Sequence, residues 1–179
     1  MSESLRGTLK EKNMNERKTG PASSEFQIGD LLKGSGKTLC AAESCTGGMI
    51  SHLITTVPGS SEYYLGSVTS YSPVIKGKLL GISAGTIDKF GIVSSKVASG
   101  MAEGVRSLMG ATYSVATTGW ADAYGDEFEP AGTVWIAVSG PSGTKTRRFR
   151  HNEGRCPNIE AFAAAALDFL LEYIREDKV

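Results

Sequence analysis

The sequence predicts an α/β protein, a three-layer α/β/α sandwich around a mixed, mostly parallel sheet of about five strands. Short apolar or β-branched runs of strand length alternate with segments of helical periodicity, as in proteins whose helices cover both faces of a parallel sheet. A hairpin-like turn at Gly140-Pro141 joins two late strands and makes one of them antiparallel. The sheet is therefore expected to be mixed.

The first half of the chain supplies two strand–turn–helix units. The predicted strands are Thr38–Ser44 and Gly66–Tyr71, and the predicted helices are Phe26–Lys33, Gly48–Thr55 and Pro73–Leu80. The third helix has the clearest boundaries. Ser72 is suited to cap it, Pro73 occupies the first position, where a missing N–H does no harm, and Gly81 ends it.

The second half repeats the alternation. A short helix is predicted at Ala84–Phe90, and Ser94 caps a longer helix that has one apolar stripe and ends at Gly110. The remaining elements are strands at Tyr113–Thr118, Thr133–Val138 and Thr144–Arg150 and a long helix near Asn158–Arg175. The basic residues of the last strand predict an edge strand protected by charge.

Length and composition predict one domain, residues 24–179, preceded by a flexible tail, residues 1–23, that is polar and charge-mixed. Three cysteines without paired spacing predict reduced thiols and a cytoplasmic location. No stretch has membrane-spanning length, and zero net charge argues against a nucleic-acid partner. A homo-oligomer, with a dimer favoured, is expected.

One strand-to-helix turn carries the first chemical signal. The strand that ends at Ser44 is followed by Cys45, Thr46 and two glycines that open a helix. A helix start points unpaired N–H groups at its surroundings, so this turn is suited to an anion or to the oxyanion formed when a hydroxyl attacks a carbonyl. The alternative is that the serine and threonine only cap the helix.

A second signal lies after the next strand. Tyr71 is expected at the strand end, and Lys76 one turn inside the following helix. A lysine near the positive end of a helix dipole, if partly desolvated, is neutral often enough to act as a base. The alternatives are a solvated lysine and an aromatic side chain at the edge of the core.

Four segments together resemble the CinA C-terminal domain family, the nicotinamide-nucleotide amidohydrolases or NMN deamidases. They are Ala42-Glu43-Ser44-Cys45-Thr46-Gly47-Gly48, Val57-Pro58-Gly59-Ser60-Ser61, Tyr71-Ser72-x-x-x-Lys76 and Gly132-Thr133-Val134-Trp135-Ile136-Ala137. The resemblance runs from about Phe26 to about Tyr173, in order and without large gaps. It implies an enzyme that hydrolyses the carboxamide of nicotinamide mononucleotide to the acid and ammonia.

The resemblance also implies the roles of individual residues. Ser44 matches the family's nucleophile, and Tyr71 and Lys76 match its assisting groups, with no metal and no cofactor. Lys76 is expected to deprotonate Ser44 directly or through Tyr71. Residues expected to contact the substrate are Cys45, Thr46, Gly47 and Gly48, whose N–H groups are candidates for an oxyanion hole, together with Ser60, Ser61, Thr118 and Gly119.

The chain departs from the family between Gly119 and Pro130. The family's glycine-rich loop and its lysine are replaced by a loop with four carboxylates, in which Glu129 holds the lysine position. If this loop faces the ligand, it should repel a phosphate monoester. Three outcomes stay open: the loop faces solvent, it re-tunes the enzyme to a less anionic amide, or the chain is an inactive nucleotide-binding paralogue. A solvated acidic turn is favoured over a metal site, with Trp120, Tyr124 and Phe128 tucked inward.

Overall fold

The computed structural model describes residues 20–177. Within this part of the chain the helices are α1 (Ser24–Leu32), α2 (Met49–Thr55), α3 (Pro73–Leu80), α4 (Ala84–Phe90), α5 (Ser95–Met109) and α6 (Arg155–Glu176). The strands are β1 (Leu39–Glu43), β2 (Tyr64–Thr69), β3 (Tyr113–Gly119), β4 (Thr133–Gly140) and β5 (Gly143–Arg150), and a 3-10 turn covers Ser60–Glu62. Most of the predicted flexible tail, residues 1–19, lies outside the described residues.

The five strands form one mixed sheet in the order β2-β1-β3-β4-β5. β1 is parallel to both β2 and β3, whereas β4 is antiparallel to β3 and to β5. Gly140 pairs with Gly143 across the tight turn between the last two strands. The predicted mixed sheet and its hairpin are confirmed.

Alternate residues of the central strand β1 divide the core into two layers. Leu39 and Ala41 pack into a cluster with α1, α2 and α6, whereas Cys40 and Ala42 pack into a cluster with α5 and the end of α3. Side chains of a strand point alternately to the two sheet faces, so a strand buried on both faces is apolar without alternation. The three-layer α/β/α sandwich is confirmed.

Local signals set the start of several helices. The Ser72 hydroxyl accepts a hydrogen bond from the Ile75 N–H at 3.3 Å, and Gly81 ends α3 with φ of 73°. Ser83 and Ser94 cap α4 and α5 in the same way. These caps satisfy N–H groups that have no acceptor within the helix.

Two boundaries differ from the prediction, and both bear on the site. β2 ends at Thr69 rather than Tyr71, because Thr69 pairs with Glu43, the last residue of β1. α6 begins at Arg155 rather than near Asn158. Pro157 is tolerated in that first turn because its missing N–H would have no intrahelical acceptor there.

The two edges of the sheet differ in charge. The β5 edge carries three ion pairs, Lys145–Glu176 at 2.7 Å, Arg147–Glu172 at 2.6 Å and Arg148–Glu129 at 2.5 Å. This agrees with the predicted charge-protected edge strand.

None of the helices described between residues 20 and 177 is both long and apolar enough to cross a membrane. The three cysteines are free thiols.

Candidate active site

Ser44 lies in the turn between β1 and α2, at the carboxyl end of the central strand. Its N–H donates to the Thr117 carbonyl of β3 at 3.1 Å, which fixes the turn to the sheet. Gly47 and Gly48 then adopt φ of 59° and 106°. A residue with a Cβ rarely adopts such backbone angles, so the two glycines allow the chain to turn sharply before α2.

Glu43, the residue before Ser44, is fully buried and caps α2. Its carboxylate accepts hydrogen bonds from the hydroxyl of Thr46 at 2.7 Å and from the N–H groups of Gly48, Ile50 and Ser51 at 2.9–3.0 Å. The N–H groups at the start of α2 therefore already donate to a carboxylate, and Gly48, one of the expected oxyanion donors, is among them. This role of Glu43 was not predicted, although a charged side chain at the end of an apolar run was a signal.

Lys76 brings its amine directly to Ser44. The side chain is 0% exposed, and Nζ lies 2.8 Å from Ser44 Oγ and donates to the Ser70 carbonyl at 2.5 Å. Among residues 20–177, no carboxylate forms an ion pair with it. Burial lowers the pKa of Lys76 from 10.5 to about 8, and the nearby Cys45 thiol opposes this shift only in part.

The neighbouring thiol is poorly suited to act as the nucleophile. Burial raises the pKa of Cys45 to about 12, so the thiol is neutral near pH 7. Ser44, in contrast, is partly exposed and adjoins a cavity. The geometry favours the serine as the attacking group.

The N–H groups of the turn are not equivalent. Gly47 N–H donates to the Ser44 carbonyl and Gly48 N–H donates to Glu43. Within the described residues, no backbone carbonyl accepts from the N–H groups of Cys45 and Thr46, and the Cys45 N–H contacts only its own thiol. The candidate oxyanion hole, expected over Cys45 to Gly48, narrows to these two donors.

A cavity of about 150 Å³ opens beside Ser44. Its walls come from the turn after β1, the end of β3, the loop that follows β3 and the start of α6. An adjoining cavity of about 650 Å³ shares Tyr71, Ile92 and Trp120 with the first. The two form one cleft beyond the carboxyl ends of the parallel strands, where ligands bind in open α/β sheets.

Tyr71 lines both cavities, but its hydroxyl forms no hydrogen bond with Ser44 or Lys76. Its side chain is exposed, and its hydroxyl accepts a hydrogen bond from Arg155 Nη2 at 2.8 Å. The structure therefore provides the direct contact between Lys76 and Ser44, not a relay through Tyr71. Arg155, also bonded to Asp122, was missed by the sequence analysis because its helix was predicted to begin later.

The other predicted contact residues divide into two groups. Thr118 and Gly119 line the smaller cavity, although the Thr118 hydroxyl donates to the Ile92 carbonyl at 2.8 Å. Ser60 and Ser61 line neither cavity. They precede β2, and because β2 is parallel to β1, they lie at the opposite end of the sheet from Ser44. The structure does not bring these two serines to the site.

The acidic loop, residues 119–130, borders the cleft, and two of its four carboxylates have cationic partners. Glu129 pairs with Arg148 and accepts from the Trp135 indole at 2.8 Å, and Asp122 pairs with Arg155. The expectation that Trp120, Tyr124 and Phe128 are tucked inward is wrong for the last two, whose side chains are 82% and 45% exposed. Within residues 20–177, no three His, Cys, Asp or Glu side chains are grouped as metal ligands would be.

Comparison with known proteins places this geometry in a family. Residues 22–174 match the model of the CinA C-terminal domain. A CinA-like protein of Salinibacter ruber is 44% identical over 151 residues, which cover 84% of this chain and 37% of the relative. A putative competence-damage inducible protein of Desulforamulus reducens is 42% identical over 70% of this chain and 31% of the relative. The chain thus spans about a third of the length of the curated relatives it matches.

Solved structures agree with the sequence matches. A CinA superfamily protein from Klebsiella pneumoniae has a TM-score of 0.81 at 27% identity, covering 86% of this chain and 96% of that one. The competence/damage inducible protein CihA from Agrobacterium tumefaciens has a TM-score of 0.78 at 31% identity, covering 83% and 92%. The chain belongs to the CinA C-terminal domain family.

Proposed function

We propose that this chain hydrolyses the carboxamide of a pyridine nucleotide, of the nicotinamide mononucleotide type, to the acid and ammonia. The observation that carries the proposal is the 2.8 Å contact between the buried amine of Lys76 and the hydroxyl of Ser44. A serine hydroxyl is a weak nucleophile until an adjacent base takes its proton. An amine whose pKa is lowered to about 8 is a suitable base near neutral pH.

The first half of the reaction forms an acyl-enzyme. Ser44 Oγ attacks the carboxamide carbon while its proton passes to neutral Lys76 Nζ. The tetrahedral intermediate places its negative oxygen against the N–H groups of Cys45 and Thr46, each worth about 3 kcal/mol if correctly aimed. The C–N bond then breaks, and protonated Lys76 gives the proton to the departing ammonia.

The second half returns the enzyme to its starting state. A water molecule attacks the Ser44 ester, and Lys76 takes one of its protons. When the bond from the acyl carbon to Ser44 breaks, Lys76 returns the proton to Oγ and the carboxylic acid leaves. One base thus serves both steps, and the Ser70 carbonyl holds Nζ in place throughout.

The cleft matches the two parts of such a substrate in size. A cavity of 150 Å³ holds a ring of benzene size, so the smaller cavity is suited to the pyridine carboxamide beside Ser44. The wider cavity is suited to the ribose and what it carries. Trp120 lines both cavities and offers an aromatic face to the ring.

The alternative is a nucleotide-binding module without catalysis. That alternative needs the turn from Ser44 to Gly48 to hold a phosphate. The buried Glu43 carboxylate already accepts from the N–H groups of Gly48, Ile50 and Ser51, so these donors are not available to a phosphate. The loss of these donors supports hydrolysis over phosphate capture at the turn.

Ammonia release from nicotinamide mononucleotide tests the proposal, with the unaltered chain compared with Ser44→Ala and Ser51→Ala. Ser51 is on α2 and lines neither cavity, so its variant controls for removal of a hydroxyl nearby. We expect Ser44→Ala to lose at least 1,000-fold in kcat/KM while retaining ligand affinity. Activity that survives in Ser44→Ala, or an unaltered chain that binds pyridine amides and releases no ammonia, contradicts the mechanism.

A further inference from the structure

The charges around the cleft bear on which pyridine carboxamide the site accepts. Arg155 is the single cationic side chain lining either cavity within the described residues. Its guanidinium already has two partners, the carboxylate of Asp122 and the hydroxyl of Tyr71 at 2.8 Å. The Asp122 carboxylate offsets the positive field of this guanidinium, so Arg155 attracts a phosphate less strongly than an unpaired arginine would.

The wider cavity has only negative charge on its walls. Asp88, Asp126 and Glu127 line it, and no lysine or arginine does. Between residues 20 and 177 no cation forms an ion pair with any of these three carboxylates. The part of the substrate that extends beyond the pyridine ring therefore enters a region of negative potential.

The two ends of a mononucleotide respond to this potential in opposite ways. The pyridinium ring is a cation, which nearby carboxylates and the face of Trp120 stabilise. The phosphate monoester is a dianion near neutral pH, and the same carboxylates repel it. Removing the phosphate removes the repulsion and leaves the attraction.

We infer that the preferred substrate is a pyridinium ribonucleoside carboxamide that lacks a phosphate, and that Asp122 determines this specificity by occupying Arg155. The inference rests on the proposed amide hydrolysis at Ser44 and changes the preferred substrate from the pyridine nucleotide to the corresponding nucleoside. Asp122 contacts the specificity-determining arginine, not the reacting carboxamide, so its removal should alter discrimination between substrates more than the chemistry itself.

Nicotinamide riboside and nicotinamide mononucleotide provide the test, because they share the ring, the ribose and the carboxamide and differ only in the phosphate. The values of kcat/KM for ammonia release are compared for the unaltered chain and for Asp122→Asn. Asp30→Asn is the matched control, since Asp30 is an exposed carboxylate of α1 that lines neither cavity. Circular dichroism checks that each variant is folded.

We expect the unaltered chain to prefer the riboside by roughly tenfold or more, and Asp122→Asn to raise kcat/KM for the mononucleotide by roughly tenfold. Asp30→Asn should leave the ratio unchanged. A preference for the mononucleotide that Asp122→Asn does not alter overturns the inference and leaves the proposed hydrolysis intact.

Calorimetric binding to the Ser44→Ala variant separates specificity from turnover. The inferred preference is supported if Ser44→Ala binds the riboside more tightly than the mononucleotide and if Ser44→Ala/Asp122→Asn shows a weaker preference. If the unaltered chain then hydrolyses neither compound, the proposed function fails while the inferred preference stands. Tighter binding of the mononucleotide to Ser44→Ala, or binding of neither compound, overturns the inference.

Discussion

Replacing Lys76 with methionine should remove activity and, at the same time, change how stability depends on pH. Methionine keeps an unbranched apolar stem in the buried site but carries no charge. The side chain of Lys76 is fully buried and has no ion-pair partner among residues 20–177. Folding therefore opposes its protonation, and this cost disappears in the variant.

The magnitude follows from the pKa of Lys76, which falls from 10.5 to about 8 on folding. At pH 7 the amine is protonated in the unfolded chain and mostly protonated in the folded one, and the cost to folding is about 3 kcal/mol. Between pH 8 and 10.5 the unfolded chain binds more protons than the folded chain, so stability rises with pH. At pH 10 the remaining cost is about 1 kcal/mol.

The assay is urea denaturation of the unaltered chain and of Lys76→Met at several values between pH 7 and 10. The free energy of unfolding of the variant relative to the unaltered chain should fall by about 2 kcal/mol over this range. The lost hydrogen bonds to Ser44 and Ser70 add an offset that does not vary with pH. Lys78→Met, which removes an exposed lysine of α3, is the matched control.

A difference in stability that stays constant from pH 7 to 10 would show that the amine titrates alike in the folded and unfolded chains, which contradicts the lowered pKa of Lys76. It would also remove the basis for Lys76 as a general base near neutral pH. Loss of ammonia release in Lys76→Met alone does not test this point, since any disturbance of the site lowers activity.

Three further predictions concern the site. In the proposed mechanism neutral Lys76 is the base, so kcat/KM for ammonia release should rise about tenfold from pH 7 to pH 9, following a pKa of about 8. A flat profile would contradict the proposed base. Tyr71→Phe should lower kcat/KM less than tenfold, because the hydroxyl is bonded to Arg155 and not to Ser44 or Lys76. A loss of 1,000-fold would indicate that the proton of Ser44 passes to Lys76 through Tyr71. Glu43→Gln should lower the free energy of unfolding, measured in urea, by about 1–3 kcal/mol. The reason is that one of the two carboxylate oxygens that accept from N–H groups at the start of α2 becomes a donor. Unchanged stability would contradict the role of Glu43 as the cap of α2.

The sequence alone determined the helices and strands well where the signals are short-range. Caps such as Ser72 and Ser94 and the turn at Gly140 act within a few residues, so their structural consequences are readable from the chain. Ser44 and Lys76 were identified from motifs whose spacing is local. The predicted tail, oligomeric state and cytoplasmic location stay predictions.

The tertiary structure decided which side chains meet. Ser44 and Lys76 are 32 residues apart in the sequence. Their contact depends on the parallel pairing of β1 with β2, because the segments that follow the two strands then lie at the same end of the sheet. Since Ser60 and Ser61 precede β2, the same pairing places them at the opposite end. Arg155 reaches Tyr71 across 84 residues because α6 begins beside the cleft. The spacing of residues in the sequence does not reveal these side-chain contacts, because they form only when strands pair and helices pack on a common core.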